Sequence, residues 1–138
     1  MCNGDTSDTS LPKVPYRDFF KKKLYIEELQ EEVSVVSHME RRGAEMREKV
    51  LEQKLVKAVR NAGGSAPKFI SPGLDGMPDR LVLLPVGMMG FVEVKAPGEK
   101  PRPLQFARHR MLRRLGFKVY VLDHEEQIGG ILDEIRAT

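Results

Sequence analysis

Gly76-Met77-Pro78-Asp79-Arg80, followed by Phe91-Val92-Glu93-Val94-Lys95, is the stretch that decides how this chain is read. Asp79 stands at the end of a turn; Glu93 lies fourteen positions on, inside an apolar run, with Lys95 two beyond it. Side chains alternate between the faces of a strand, so Glu93 and Lys95 share one face while Val92 and Val94 take the other, toward a core. Burying an acid and a base inside an apolar strand is costly, which points to work done there. An Asp-Arg turn or a Glu-x-Lys tripeptide alone is commonplace. Their conjunction around one apolar run carries the signal.

Working outward, three short strand-like runs are expected at 67–70, 80–84 and 90–95, separated by the turns Ser71-Pro72-Gly73 and Pro85-Val86-Gly87. Upstream, 40–62 reads as a helix: Leu51, Leu55, Ala58, Val59 and Ala62 recur at helical spacing and Gly63-Gly64 supplies the stop. Downstream, Pro103 suits a first helical turn and Gly116 an end. A strand at 117–122 and a closing helix at 125–135 follow. Tight turns imply an antiparallel meander, and the strand-helix-strand link implies one right-handed parallel crossover. The expectation is an α/β domain with helices against a mixed sheet.

The 138 residues suit a single core, and 41% hydrophobic with 31% charged residues fits an ordinary globular composition. A net charge of +3 says little about partners. One cysteine, Cys2, cannot form an internal disulfide, which favours a reducing compartment. No apolar run approaches the ~20 residues of a membrane span, and the polar, acidic start is unlike a secretory signal. A cytoplasmic protein with no membrane partner is expected. Residues 1–16, with Pro12 and Pro15, read as a disordered tail. In 16–36, Phe19, Phe20, Leu24, Ile26, Leu29 and Val33 form one face of a helix that also carries Lys21-Lys22-Lys23 and Glu27, Glu28, Glu31 and Glu32. That face suits packing on the domain or on a second subunit; its acidic half disfavours a membrane surface. The chain thus divides into an extension at 1–45 and a functional domain at 46–138.

Magnesium takes oxygen ligands and keeps several waters, so one or two carboxylates plus a substrate phosphate suffice to hold it. Asp79 and Glu93 fit that role if their strands are neighbours, and the backbone carbonyl of Val94 offers a third oxygen. Lys95 beside them suits orienting a water and stabilising negative charge. Glu48 and Glu52 both lie on the stripe that continues through Leu55 and Val59. Glu48 is the closer to the centre of the apolar arc and is favoured; a solvated flank paired with Lys49 and Lys54 is the alternative.

These residues resemble the VRR-NUC family, the virus-type replication–repair nucleases of the PD-(D/E)xK superfamily, in its compact stand-alone form. The resemblance spans about 47–122. It rests on Arg47-Glu48-Lys49, Gly63-Gly64, Lys68-Phe69, Ser71-Pro72-Gly73, Gly76-x-Pro78-Asp79-Arg80, Glu93-x-Lys95-Ala96-Pro97-Gly98, Pro103-Leu104-Gln105 and Leu115-Gly116-Phe117. It implies a restriction-endonuclease-like mixed sheet with an αβββαβ core, here with an added C-terminal helix. By the same resemblance Asp79 and Glu93 are metal ligands, Lys95 is the catalytic lysine, Glu48 the helix glutamate and Gln105 a glutamine close to the active site. The implied activity is cleavage of DNA with Mg²⁺ or Mn²⁺, in branched DNA such as Holliday junctions, by a homodimer.

From Lys95 to Lys118 inclusive stand eight Lys or Arg residues and one carboxylate, Glu99. In the helix after Pro103, Leu104, Ala107, Met111 and Leu115 are expected to form an apolar stripe. Arg108, Arg110, Arg113 and Arg114 would then make a basic face for phosphates, joined by Lys100, Arg102, Lys68 and Arg80. His109 reads as a surface or phosphate contact. The alternatives to a junction nuclease are a DNA-binding module of the same fold without activity, or a nuclease acting on flaps or linear DNA.

Overall fold

A computed structural model describes residues 16–137, with side chains from Lys21 onward. Of the tail expected at 1–16, residues 1–15 lie outside the described residues, as do the Phe19 and Phe20 side chains, and Tyr16 already belongs to a helix. The described residues fall into two units that divide between Glu40 and Arg41. A single helix, α1 (Tyr16–Asn61), runs through the boundary where two separate helical segments were expected. Between residues 36 and 47 there is no proline, and Gly43 alone is insufficient to break a helix otherwise rich in Glu, Lys, Arg and Met. In the second unit the helix ends where Gly63 turns to φ +79° and Gly64 N–H donates to the Val59 carbonyl at 2.9 Å.

The sheet holds β1 (Arg80–Leu84), β2 (Met88–Val94) and β3 (Val119–Leu122), in the order β1-β2-β3. β1 and β2 pair antiparallel, β2 and β3 parallel across α2 (Pro103–Arg114), so the sheet is mixed as expected. The strand expected at 67–70 is reduced to isolated bridges, Ser65 to Leu83 and Lys68 to Arg80. Pro67 explains the reduction: it lacks an N–H, and only its carbonyl joins the ladder, accepting from Leu81. The chain closes with α3 (Gln127–Arg136).

β2 is buried on both faces. One side meets an apolar cluster of Leu51, Leu55 and Val59 from α1, Val82 and Leu84 from β1, Leu122 from β3, and Ile128, Ile131, Leu132 and Ile135 from α3. Val92 and Val94 are its contribution from β2. Gly90 is needed here, because a Cβ at that position would stand 2.8 Å from Ile135. The opposite side is a smaller cluster of Phe91, Leu112 and Val119, with Phe69 edge-on to Phe91 at 5.5 Å.

The burial of α2 corrects the sequence reading. The expected stripe of Leu104, Ala107, Met111 and Leu115 is largely exposed, Leu115 at 66%. The buried residues are His109 and Leu112, one helical turn apart. Gln105, four residues before His109, lies on the same face. An amide and an imidazole replace part of the apolar stripe because the strand beneath presents a carboxylate rather than a valine.

Candidate active site

The antiparallel register places the two central acids together. Arg80 pairs with Val92, so one step further the ladder sets Asp79 beside Glu93. Asp79 Oδ2 lies 3.4 Å from the Val94 N–H, and the Asp79 carbonyl accepts from Phe69 N–H at 2.8 Å. The preceding turn is pressed against α2. Gly76 has φ +84°, and a Cβ there would approach Leu104 to 2.9 Å, so only glycine brings the turn this close. Arg108 fixes the same turn by donating to the Asp75 carbonyl at 2.9 Å.

Glu93 is fully buried. Its Oε1 receives Lys95 Nζ at 2.6 Å and Gln105 Nε2 at 2.5 Å. Gln105 is itself fixed, since its Oε1 accepts the Arg102 N–H at 2.9 Å at the start of α2. The second oxygen, Oε2, faces His109 Nε2 at 3.8 Å, too far for a hydrogen bond, and both atoms are buried without a hydrogen-bond partner. His109 therefore lies beneath the carboxylate, not on the phosphate-facing surface expected for it. Its position four residues after Gln105 was the available signal: both share the helix face turned to the strand.

The electrostatics divide the acids. Burial alone would lift the Glu93 carboxyl; His109 and Lys95 outweigh it and hold Glu93 below the ordinary glutamate value. Lys95, at 2.6 Å, is the closer partner. Asp79 is raised, first by burial and then by the charge of Glu93, against the opposing pull of Lys95. Glu48 is also raised, by burial and by the carboxylates around it, although Lys95 draws it down. Burial would depress Lys95, but its bond to Glu93 and the acids around it leave it above the usual lysine value. The cluster is three carboxylates around one ammonium.

Glu48 and Glu52 separate clearly. Glu52 accepts Arg80 Nε at 2.8 Å, and Arg80 Nη1 donates to the Ala66 carbonyl at 2.8 Å. Glu48 forms part of the walls of two adjoining cavities. One, about 150 Å³, is shared with Asp79, Val94, Glu52 and Lys68; the other, about 460 Å³, with Lys95, Gln105, Lys100 and Arg102. Among the described residues no three His, Cys, Asp or Glu side chains converge into a ready-made metal cage. Asp79 and Val94 line the smaller cavity, where oxygen donors suit a hard cation that keeps most of its waters, whereas both Glu93 oxygens face protein groups in this arrangement.

A solved structure titled "VRR_NUC domain" superposes with a TM-score of 0.60 at 31% identity, covering 63% of this chain and 95% of that domain. A phage protein named "Putative nuclease p44", from Acyrthosiphon pisum secondary endosymbiont phage 1, is 54% identical over 81 residues, which is 59% of this chain and 87% of the relative. The chain belongs to the VRR-NUC family. No family model matches it. The mixed three-stranded sheet with helices matches the fold of the solved VRR-NUC domain.

The eight basic residues expected to meet DNA fall into three groups in this VRR-NUC chain. Lys68, Lys100 and Arg102 are exposed and border the carboxylate cavities. Arg110 and Arg114 are also exposed, but line a separate cavity with Ala107, Met111 and Leu115. Arg80, Arg108 and Arg113 are tied into the fold, Arg113 donating from Nη2 to the Val119 carbonyl at 2.7 Å. The one-sided phosphate face expected of α2 is thus divided, and part of its charge is structural.

Proposed function

We propose that this chain is a Mg²⁺- or Mn²⁺-dependent DNA endonuclease that hydrolyses phosphodiesters in branched DNA, resolving four-way junctions as a homodimer. The observation that carries the reading is Asp79 beside Glu93 in register, with Lys95 bonded to Glu93 at 2.6 Å. Asp79, Glu93 and the Val94 carbonyl would hold the cation. A bound divalent ion lowers the pKa of its water and neutralises charge building on the phosphate. Lys95 orients the attacking water and stabilises the developing negative charge. Gln105 keeps Glu93 in place, and Glu48 adds a third carboxylate at the cavity wall. Lys68, Lys100 and Arg102 would engage phosphates beside the cleavage point, giving affinity without reading sequence.

Junction resolution requires cuts in two strands, which a two-fold dimer supplies by setting two active sites in opposite senses. No helix among the described residues is long and apolar enough to cross a membrane. The test is a panel of end-labelled linear, flap, splayed and four-way DNA substrates, with and without Mg²⁺ or Mn²⁺. Metal-dependent, paired incisions confined to the four-way substrate support the reading. Preferred cutting of flaps or linear DNA would move it to another nuclease substrate, and binding without products would make the chain a DNA-binding module.

A further inference from the structure

The arm of α1 is the surface that the site leaves unused. Ile26, Leu29, Val33 and Val36 follow one another at intervals of three, four and three, the spacing of a two-helix seam. With roughly 100° per residue they fall, together with Tyr25, on one stripe. All are exposed: Ile26 46%, Leu29 42%, Val33 67% and Val36 55%. The stripe continues at seam spacing into Lys22 at one end and Glu40 at the other.

We propose that this stripe is covered by the same stripe of a second copy, running antiparallel. Charge selects both the occupant and the direction. With Leu29 against Val33 of the partner subunit, Ile26 meets Val36 of the partner subunit. Both ends then close with Lys22 against Glu40 of the partner subunit. Tyr25 flanks Met39 of the partner subunit in that register, adding apolar contact at the rim. A parallel pair would instead stack Lys22 on Lys22 and Glu40 on Glu40 within the seam, where like charges repel. One like-charge contact remains in the antiparallel arrangement, Glu32 with its symmetry mate on the solvated rim, at a cost of a few tenths of a kcal/mol. A lipid surface is a poorer occupant, because Glu27, Glu28, Glu31 and Glu32 crowd the same helix. From Lys22 to Glu40 the seam is about 27 Å long at 1.5 Å per residue.

The inference gives the proposed two-fold assembly a surface, but it does not depend on the nuclease reading, since its readout is mass. Sedimentation velocity on the full chain, with co-sedimentation on anionic vesicles alongside, tests it. Leu29→Asp with Val33→Asp weakens self-association at least tenfold while the thermal transition of the folded domain is retained. Lys22→Glu alone also weakens it, and Lys22→Glu with Glu40→Lys restores it, which a parallel pair would not do. Self-association untouched by the Asp pair, a wild-type chain monomeric at every concentration sedimented, or no rescue by the charge swap overturns the proposal. So does vesicle binding lost with the Asp pair in a chain that never self-associates.

Discussion

The two faces of β2 are equally dry and are held in opposite ways. Val92 and Val94 are buried among aliphatic side chains from α1, β1, β3 and α3, where shape and area provide the stabilisation. Glu93, one residue away and fully buried, is held by an ammonium and an amide, with an imidazole beneath it at 3.8 Å. The first face can be rebuilt from other apolar residues of similar volume at modest cost. The second cannot, because removing any one partner leaves another buried and unpaired. An aliphatic face and a charged face thus share a strand 7 residues long, divided by its pleat.

Substitutions on the two faces should therefore fail differently. The largest effect is expected for Lys95→Ala: DNA cleavage falls by at least about 10³-fold, or about 4 kcal/mol of barrier, while DNA binding survives. Single-turnover cleavage with a parallel binding assay measures this. Glu93→Gln should abolish cleavage and also destabilise the fold by about 1–3 kcal/mol, since Lys95 loses its buried partner; urea unfolding reads the second effect. Val92→Ala on the opposite face should cost a similar amount, about 2 kcal/mol, yet leave cleavage at low temperature nearly intact.

Asp79→Asn should sharpen the contrast, because it also removes cleavage but raises the melting temperature. The sign follows from the raised Asp79 carboxyl: the fold holds its proton more tightly than the unfolded chain, so ionisation at neutral pH costs stability. For Glu93, held below the ordinary value, the sign is opposite. Its contribution is present above the unfolded glutamate pKa and is lost as pH falls through the lowered folded value. A melting temperature that falls in Asp79→Asn would remove the distinction drawn between the two acids.

Much of this was legible in the chain. Asp79, Glu93 and Lys95 were marked by polar residues interrupting an apolar strand, and the turns around them set a register that brings the acids together. The helical arc favours Glu48 over Glu52; in the structure Glu52 is tied to Arg80, while Glu48 lines both carboxylate cavities. The buried face of α2 was misread because counting apolar residues cannot find a face built on Gln105 and His109. A carboxylate in the sheet demands polar partners across from it, and that demand comes from tertiary structure. Arg80, Arg108 and Arg113 were read as phosphate contacts for a related reason. A sequence gives a guanidinium's charge but not the carbonyls or carboxylate that already occupy it. The single α1 helix escaped notice because its alternating charge blocks resemble a boundary, although nothing there interrupts helical hydrogen bonding.

The most direct test of the site is cleavage of an end-labelled four-way junction by the wild-type chain and by Asp79→Ala, across a titration of Mg²⁺ and Mn²⁺. The account predicts paired incisions that appear only with metal and only in the wild type, with both proteins binding the junction. Cleavage that persists in a chelator, or at an undiminished rate in Asp79→Ala, would contradict it.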